Sequence, residues 1–230
     1  MKQLDFKHRY IPSPLQQHVV DNFDQKQRQS QEGIRDDKSN PLTLLLLHGT
    51  GGNEDDLIQV GQMISPSASL LSPRGKVLEN GMPRFFKRLA EGVFDLEDLK
   101  FRTNELADFI KGSSSVYGFD LDKTVAVGFS NGANIAASLL LSYSETLMGA
   151  ILFRAMIPFI PDNLPDLSNK KVLLSAGMFD PIVSKSQIQS LFDILEKSRA
   201  NVTLKWQQSG HNLIESDILD AKEWLSKNFE

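Results

Sequence analysis

Apolar segments alternate with segments of helical spacing along most of the chain. The runs at 42–47 (LTLLLL), 124–129, 150–153 and 172–176 predict buried strands, because neither face of these runs carries regularly spaced polar residues. We also predict strands at 68–72 and 202–207, an edge strand within 4–11, and helices at 55–63, 97–113, 130–141, 188–198 and 214–228. This alternation is typical of an α/β fold with a mainly parallel central sheet and helices on both faces.

One polar stretch interrupts the alternation. Residues 15–40 are rich in Gln, Asp, Lys and Ser and contain few large apolar side chains. They predict a surface loop or insertion, with room for a short helix around 19–23. A chain of 230 residues is the size of one ordinary domain. We therefore predict a single domain over 1–230, with a polar insertion at about 15–40.

The amino-acid composition argues against several classes of function. The 25 basic and 29 acidic residues give a net charge of −4 without a basic cluster, so a nucleic-acid partner is not expected. The absence of cysteine excludes thiolate nucleophiles and cysteine-based metal centres, and the four dispersed histidines predict no metal site. No apolar run approaches the ~20 residues of a spanning helix, and the start does not resemble a signal peptide. We expect a cytoplasmic protein that does not insert into membranes.

The segment Gly128–Gly132 has the pattern G-x-S-x-G between a predicted strand and a predicted helix. In that context Ser130 projects from a sharp turn, and the flanking glycines remove Cβ atoms that would collide. Ser130 is therefore the candidate nucleophile. The alternative is a glycine-rich turn that exposes an ordinary serine.

A serine hydroxyl requires a base, and the base requires an orienting carboxylate. His211 follows the last predicted strand and is the candidate base, whereas the rival His48 is expected to have a structural role. Asp180, just past the strand at 172–176, is the candidate carboxylate. The order Ser130, Asp180, His211 is that of α/β-hydrolases. The alternative carboxylates follow the preceding strand, at Asp162 and Asp166.

Two backbone N–H groups are candidates for an oxyanion hole. Asn131 follows the nucleophile, and Thr50 lies in the loop HGTGG after the first core strand, with Gly51 as the second choice. A phosphate-binding loop is disfavoured, because HGTGG lacks the Lys and Ser/Thr of a P-loop.

Apolar residues near these loops are candidate walls of an acyl or aryl pocket, although they could equally belong to the core. They are Met82, Phe85, Phe86, Met156 and Phe159. Arg74 and Arg84 could contact an anionic substrate, but solvated arginines are commoner.

The segments LLLLHGTGGNE, SPRG with ENGMPRFF, VAVGFSNGANIA, AGMFDPIV and GHN together resemble the small phospholipase/carboxylesterase family of α/β-hydrolases, in its hydroquinone-resistance hydrolase-like branch. The resemblance covers about residues 42–229; the polar stretch at 15–40 departs from it. It implies a serine carboxylesterase without metal or cofactor, with Ser130 as nucleophile, Asp180 as acid, His211 as base, and Thr50 and Asn131 as oxyanion donors.

The expected function is hydrolysis of small carboxylic esters through a Ser-His-Asp triad and an acyl-enzyme. The family resemblance also implies a preference for short-chain esters and a homodimer. Two alternatives remain open at this point. One is a thioesterase or lysophospholipase with a longer acyl pocket, and the less favoured one is a non-catalytic ligand-binding protein with a hydrolase fold.

Overall fold

The computed structural model describes residues 4–14 and 41–229. The described part contains eleven strands, β1 to β11 in chain order: His8–Ile11, Thr43–Leu47, Ser69–Pro73, Val77–Glu79, Met82–Arg84, Arg88–Ala90, Val93–Phe94, Thr124–Phe129, Gly149–Phe153, Lys171–Gly177 and Asn201–Gln207. It also contains five α-helices, α1 to α5: Ile58–Ile64, Leu96–Tyr117, Asn131–Ser142, Lys185–Lys197 and Glu215–Phe229. The polar stretch at 15–40, including the helix predicted at 19–23, lies outside the described residues.

Seven of the strands form the central sheet, in the order β1-β3-β2-β8-β9-β10-β11. All neighbouring pairs are parallel except β1 with β3, which is antiparallel. The prediction of a mainly parallel sheet with an N-terminal edge strand is therefore confirmed.

Both faces of the sheet are covered by helices. Leu45 and Leu47 of β2 pack on one face with α2, α3 and α4, whereas Leu44 and Leu46 pack on the other with α1 and α5. All four leucines are 0% exposed. This explains the uninterrupted apolar run, because a strand covered on both faces needs no polar alternation.

Residues 77–94 contain two small hairpins that the periodicity did not predict. Strands β4 and β5 pair around Asn80 and Gly81, whose φ angles of 52° and 80° suit a two-residue turn. Strands β6 and β7 form the second hairpin. The first hairpin brings its returning strand next to the loop after β2, where the backbone N–H of Gly51 donates to the carbonyl of Pro83 at 2.9 Å.

The parallel strands end at one edge of the sheet, and the loops that follow them carry the candidate residues. The registers Leu47↔Gly128 and Gly177↔Gln207 place the ends of β2 and β8, and of β10 and β11, side by side. Ligands bind at this edge in open α/β sheets. None of the helices within the described ranges is long and apolar enough to cross a bilayer.

Candidate active site

Ser130 occupies the sharp turn between β8 and α3. Its backbone has φ 52° and ψ −114°, a conformation that L-residues rarely adopt. Its N–H donates to the carbonyl of Phe153 in β9 at 2.9 Å, which holds the turn against the sheet. A Cβ on Gly128 would lie 2.6 Å from the carbonyl oxygen of Gly132, and one on Gly132 would lie 1.9 Å from that of Leu47. Only glycine fits these two positions.

His211 lies between Ser130 and Asp180. Its Nε2 is 2.8 Å from Ser130 Oγ, and its Nδ1 is 2.8 Å from Asp180 Oδ2. Because the carboxylate accepts a hydrogen bond, Nδ1 carries the proton and Nε2 is left as the acceptor for the serine hydroxyl. The imidazole is thus held in the tautomer that can remove a proton from Ser130.

The Asp180 carboxylate is itself fixed by its own turn. Its Oδ1 accepts hydrogen bonds from the backbone N–H groups of Ile182 at 2.8 Å and Val183 at 3.0 Å. The side chain is only 1% exposed. Neither alternative carboxylate takes this position: Asp162 is exposed, and Asp166 pairs with Arg199 and accepts from the Ser168 N–H.

His48 braces the loop after β2 and cannot serve as the base. Its Nε2 accepts a hydrogen bond from the Gly75 N–H at 2.9 Å, so Nδ1 carries the proton and donates to the carbonyl of Gly49 at 2.7 Å. Burial lowers the pKa of His48 and keeps the ring neutral. This is the structural role that its position in the sequence predicts.

The geometry distinguishes the two candidate oxyanion donors after β2. The Gly51 N–H is occupied by Pro83, as described above. No acceptor within the described ranges takes the backbone N–H of Thr50 or that of Asn131. Thr50 and Asn131 follow the ends of two neighbouring strands, β2 and β8, and both N–H groups remain candidates for an oxyanion hole.

Buried side chains hold the loops around these donors. Asn131 Oδ1 accepts from the Phe85 N–H at 2.7 Å, and Asn134 Oδ1 accepts from the Met156 N–H at 2.7 Å. Arg84, which is 3% exposed, donates from Nη1 to Thr50 Oγ1 at 2.6 Å. Arg84 is therefore a buried brace of the loop after β2, which carries the candidate oxyanion donor Thr50, and not a solvated arginine.

A second brace holds the far end of the same loop. The Glu54 carboxylate is 3% exposed and forms ion pairs with Arg74 and Lys7. Burial alone would raise the pKa of Glu54, but hydrogen bonds from its own backbone N–H and from the two cations lower it to about 2. Arg74 is committed to this pair.

The residues predicted to line a pocket differ in how deeply they are buried. Phe85 and Phe86 are 2% and 0% exposed and belong to the core, so their prediction as cleft walls is corrected. They turn inward after β5, where Phe85 contacts the His48 ring at a centroid distance of 4.7 Å. Met156 is 5% exposed in a small apolar cluster, and Phe159 is half-buried against the core. Met82, 40% exposed, lies over Gly51, where its Sδ would be 3.6 Å from an added Cβ.

Two residues beside the site were missed by the sequence analysis. Phe129 precedes the nucleophile, and its ring lies 5.6 Å from the His211 ring; a Cβ on Gly49 would come within 2.8 Å of it. Arg154 follows β9 and is completely buried beneath the His211 loop. A lone arginine inside the apolar run ILFRAMIPF was the available signal for a buried, fully paired cation.

Comparisons with known proteins agree with this fold. Residues 29–229 match the model of the Phospholipase/Carboxylesterase family. The chain is 51% identical over 184 residues to the Bacillus subtilis strain 168 protein MhqD, named as a hydrolase, and the match covers 80% of this chain and 92% of MhqD.

Solved structures give the same result. A Bacillus cereus carboxylesterase is 48% identical with a TM-score of 0.81, covering 90% of this chain and 98% of that one. A Mesorhizobium loti carboxylesterase is 29% identical with a TM-score of 0.76, covering 80% and 88%. The chain is therefore an α/β-hydrolase and belongs to the phospholipase/carboxylesterase family.

Proposed function

We propose that this hydrolase is a serine carboxylesterase acting on small carboxylic esters through Ser130, His211 and Asp180. The observation that carries the proposal is the pair of 2.8 Å contacts that link the serine hydroxyl, the imidazole and the carboxylate in series. A buried carboxylate, a defined tautomer and a strained nucleophile turn together are the arrangement that acyl transfer requires.

In the first half of the reaction, Ser130 Oγ forms a bond to the ester carbonyl carbon while its proton moves to His211 Nε2. The carbonyl oxygen becomes an oxyanion, and Asp180 stabilises the imidazolium. Collapse of the tetrahedral intermediate breaks the bond to the alcohol oxygen, which takes the proton from Nε2. The products are the free alcohol and an acyl-enzyme on Ser130.

In the second half, His211 Nε2 removes a proton from a water molecule that attacks the acyl-enzyme carbonyl. The new tetrahedral intermediate expels Ser130 Oγ, which recovers its proton from the imidazolium. The acid leaves and the enzyme returns to its starting state.

The free N–H groups of Thr50 and Asn131 supply the electrostatic part of catalysis. Each donates to the oxyanion in both halves of the reaction, and one such donor contributes about 3 kcal/mol of transition-state stabilisation. Their value depends on fixed geometry, which the hydrogen bond from Arg84 to Thr50 and the short turn at Ser130 supply.

The position of the aromatic residues supports small acyl groups. Phe85 and Phe86 belong to the core, and Met156 is packed in a small apolar cluster, so these three side chains do not line an open acyl channel. Met82 and Phe129 remain as the partly exposed apolar neighbours of the oxyanion loop and of His211. This favours a shallow site over the longer pocket of a lysophospholipase.

The test compares p-nitrophenyl acetate, octanoate and palmitate as substrates for the purified protein. We expect the highest kcat/KM with acetate and complete loss of turnover in Ser130→Ala, because no other nucleophile replaces the hydroxyl. Ser115→Ala, on the exposed side of α2, is the matched control and should keep full activity. A preference for palmitate would indicate the lysophospholipase alternative.

Labelling with a fluorophosphonate separates an enzyme from an inert binding protein. The probe should modify the wild type and Ser115→Ala, but not Ser130→Ala. Wild-type turnover in Ser130→Ala, or failure of the wild type to react with the probe, would refute the proposed mechanism.

A further inference from the structure

Arg154, the residue after β9, lies between the strand that holds the turn of Ser130 and the loop that carries His211. Phe153, the last residue of β9, accepts the backbone hydrogen bond of Ser130. Arg154 comes next, with φ 55° and a side chain that is 0% exposed. Its own N–H donates to the carbonyl of Ser175 in β10 at 2.9 Å, so its backbone is fixed to the neighbouring strand.

One side of the Arg154 guanidinium is paired with Asp217 in the first turn of α5. Nη1 is 2.9 Å from Oδ1 and Nη2 is 2.7 Å from Oδ2, a bidentate pair in which both side chains are fully buried. Asp217 is satisfied further by the Ser175 hydroxyl at 2.5 Å and the Ile214 N–H at 2.9 Å. The carboxylate therefore fixes the guanidinium plane.

Nε and Nη2 of Arg154 also reach the loop on both sides of His211, while Nη1 donates to the carbonyl of Ser175 in β10 at 3.1 Å. Nε donates to the carbonyl of Gly210 at 3.0 Å, and Nη2 lies 2.8 Å from the carbonyl of Asn212 and 2.8 Å from Ser209 Oγ. Two carbonyls that flank the base in sequence are thus held by one planar group. A rigid guanidinium can do this, whereas a single ammonium cannot hold the same fork.

Burying the Arg154–Asp217 ion pair has a large desolvation cost. Removing two charges from water costs several kcal/mol per ion, and well-packed apolar residues often give equal or greater stability. The presence of a costly buried pair is explained if the fixed orientation of the guanidinium serves a purpose other than stability. Within the described part of the chain, the hydrogen bonds of the guanidinium go to Asp217, to Ser175 of β10 and to the His211 loop.

We propose that Arg154, oriented by Asp217, is a positioning residue that sets the location of His211 relative to Ser130. The inference rests on the proposed triad, since it assigns Arg154 a role only through the base. It adds a residue that does not touch the substrate. Loss of its hydrogen bonds would leave the triad side chains present but would release the loop that aligns Nε2 with Oγ.

The test uses Arg154→Met, Arg154→Lys and the double variant Arg154→Met/Asp217→Leu, with p-nitrophenyl acetate as substrate. The double variant removes both charges, so that no uncompensated charge stays buried, but it does not restore the donors to the loop and it leaves the Ser175 hydroxyl and the Ile214 N–H without the carboxylate. Leu225→Ala is the control: it creates a cavity two turns further along α5, in the apolar cluster that this helix forms with the sheet, and none of the guanidinium hydrogen bonds described above involves Leu225. Each protein is measured for Tm, kcat and KM.

We expect Arg154→Met to lose about 100-fold in kcat, a loss of the size that a displacement of about 1 Å can cause, with KM changed less than threefold. Arg154→Lys keeps the charge for Asp217 but not the fork, so it should recover part of kcat. The double variant should regain part of the Tm lost in Arg154→Met, because no unpaired carboxylate stays buried, while kcat stays low. Leu225→Ala should lose Tm and keep kcat within twofold.

The inference is overturned if kcat returns with Tm in the double variant, since the role would then be structural only. It is also overturned if Arg154→Met loses no more kcat than the control. If neither methionine variant folds, Arg154→Lys decides, and wild-type kcat in that protein refutes the inference. Ser130→Ala, measured in parallel, separates the two hypotheses, because activity in that variant would refute the triad itself.

Discussion

Asp180→Asn provides a demanding test of the triad, because the structure determines how the asparagine must be oriented. Oδ1 of Asp180 accepts from the N–H groups of Ile182 and Val183, and Oδ2 faces His211 Nδ1. In the variant, the amide oxygen must keep the first position. The opposite orientation would place an NH₂ group against two backbone donors and leave each unpaired, at a cost of about 1–3 kcal/mol per donor.

This orientation turns the NH₂ group of the new side-chain amide toward His211. An NH₂ group cannot accept a hydrogen bond, so Nδ1 must lose its proton and become the acceptor. The proton then resides on Nε2, which faces Ser130 Oγ as a donor instead of an acceptor. The nucleophile is left without a base although every other side chain remains in place.

A wrong tautomer of this kind costs about 10⁴-fold in kcat, which corresponds to ~5 kcal/mol of transition-state stabilisation. The change should appear in initial rates with p-nitrophenyl acetate after subtraction of the spontaneous reaction. KM should change little, because the carboxylate does not contact the substrate. The shape and packing of the side chain are preserved, so Tm should stay near the wild-type value.

Asp166→Asn is the matched control. Its carboxylate lies in an exposed turn with Arg199 and Ser168, and its loss should leave kcat within twofold of wild type. A folded Asp180→Asn protein that keeps kcat within tenfold of wild type would contradict the tautomer argument. An equal loss in Asp166→Asn would show that the assignment of the carboxylate is wrong.

Three further changes test the surroundings of the triad. Thr50→Val removes one acceptor of the buried Arg84 and loosens an oxyanion donor, so kcat should fall about tenfold and the unpaired Nη1 should cost about 1–3 kcal/mol of stability; unaltered initial rates would contradict this. Gly132→Ala adds a Cβ that no rotation can relieve, and we expect a loss of about 3 kcal/mol or more in the free energy of unfolding by urea denaturation; wild-type stability would disprove the steric reason for this glycine. Glu54→Gln removes a carboxylate whose folded pKa of about 2 lies below its ordinary value of 4.5. This difference in pKa stabilises the folded wild type by up to about 3 kcal/mol above pH 4.5, and that stabilisation is lost as the pH falls toward 2. The stability difference between Glu54→Gln and wild type should narrow over that interval, and a constant difference would refute the assigned ion pairs.

The sheet could be predicted because a strand buried on both faces appears in the sequence as an uninterrupted apolar run. The runs at 42–47 and 124–129 correspond to β2 and β8 within one residue. The helix predicted at 55–63 begins later, at Ile58, because residues 53–58 form two overlapping turns in which the N–H groups of Asp56 and Ile58 bond to the carbonyls three residues back. Turns of this kind have no periodicity from which to predict their length.

The hairpins at 77–94 could not be predicted from the pattern of apolar residues, for a different reason. Strands of two or three residues are too short to display a period, although the Asn80-Gly81 pair is a recognised hairpin signal. The aromatic residues after the first hairpin were therefore assigned to a pocket on composition alone. Phe85 and Phe86 are core residues because β5 ends at Arg84, whose side chain is anchored to the oxyanion loop, and the chain then turns inward.

The residues proposed to react and the residues proposed to hold them differ in how visible they are in a sequence. Ser130 is flanked by glycines that its turn requires, and His211 follows the end of a strand, so each carries a local signal. Arg154 carries none beyond its apolar neighbours, because its partners lie at 175, 209–212 and 217 and meet only when the sheet forms. Alignment of a proton acceptor within a fraction of an ångström depends on such long-range hydrogen bonds, whereas the identity of the acceptor depends on one residue. A sequence motif can therefore predict which groups carry the chemistry, while the buried contacts that determine their geometry must be found in three dimensions.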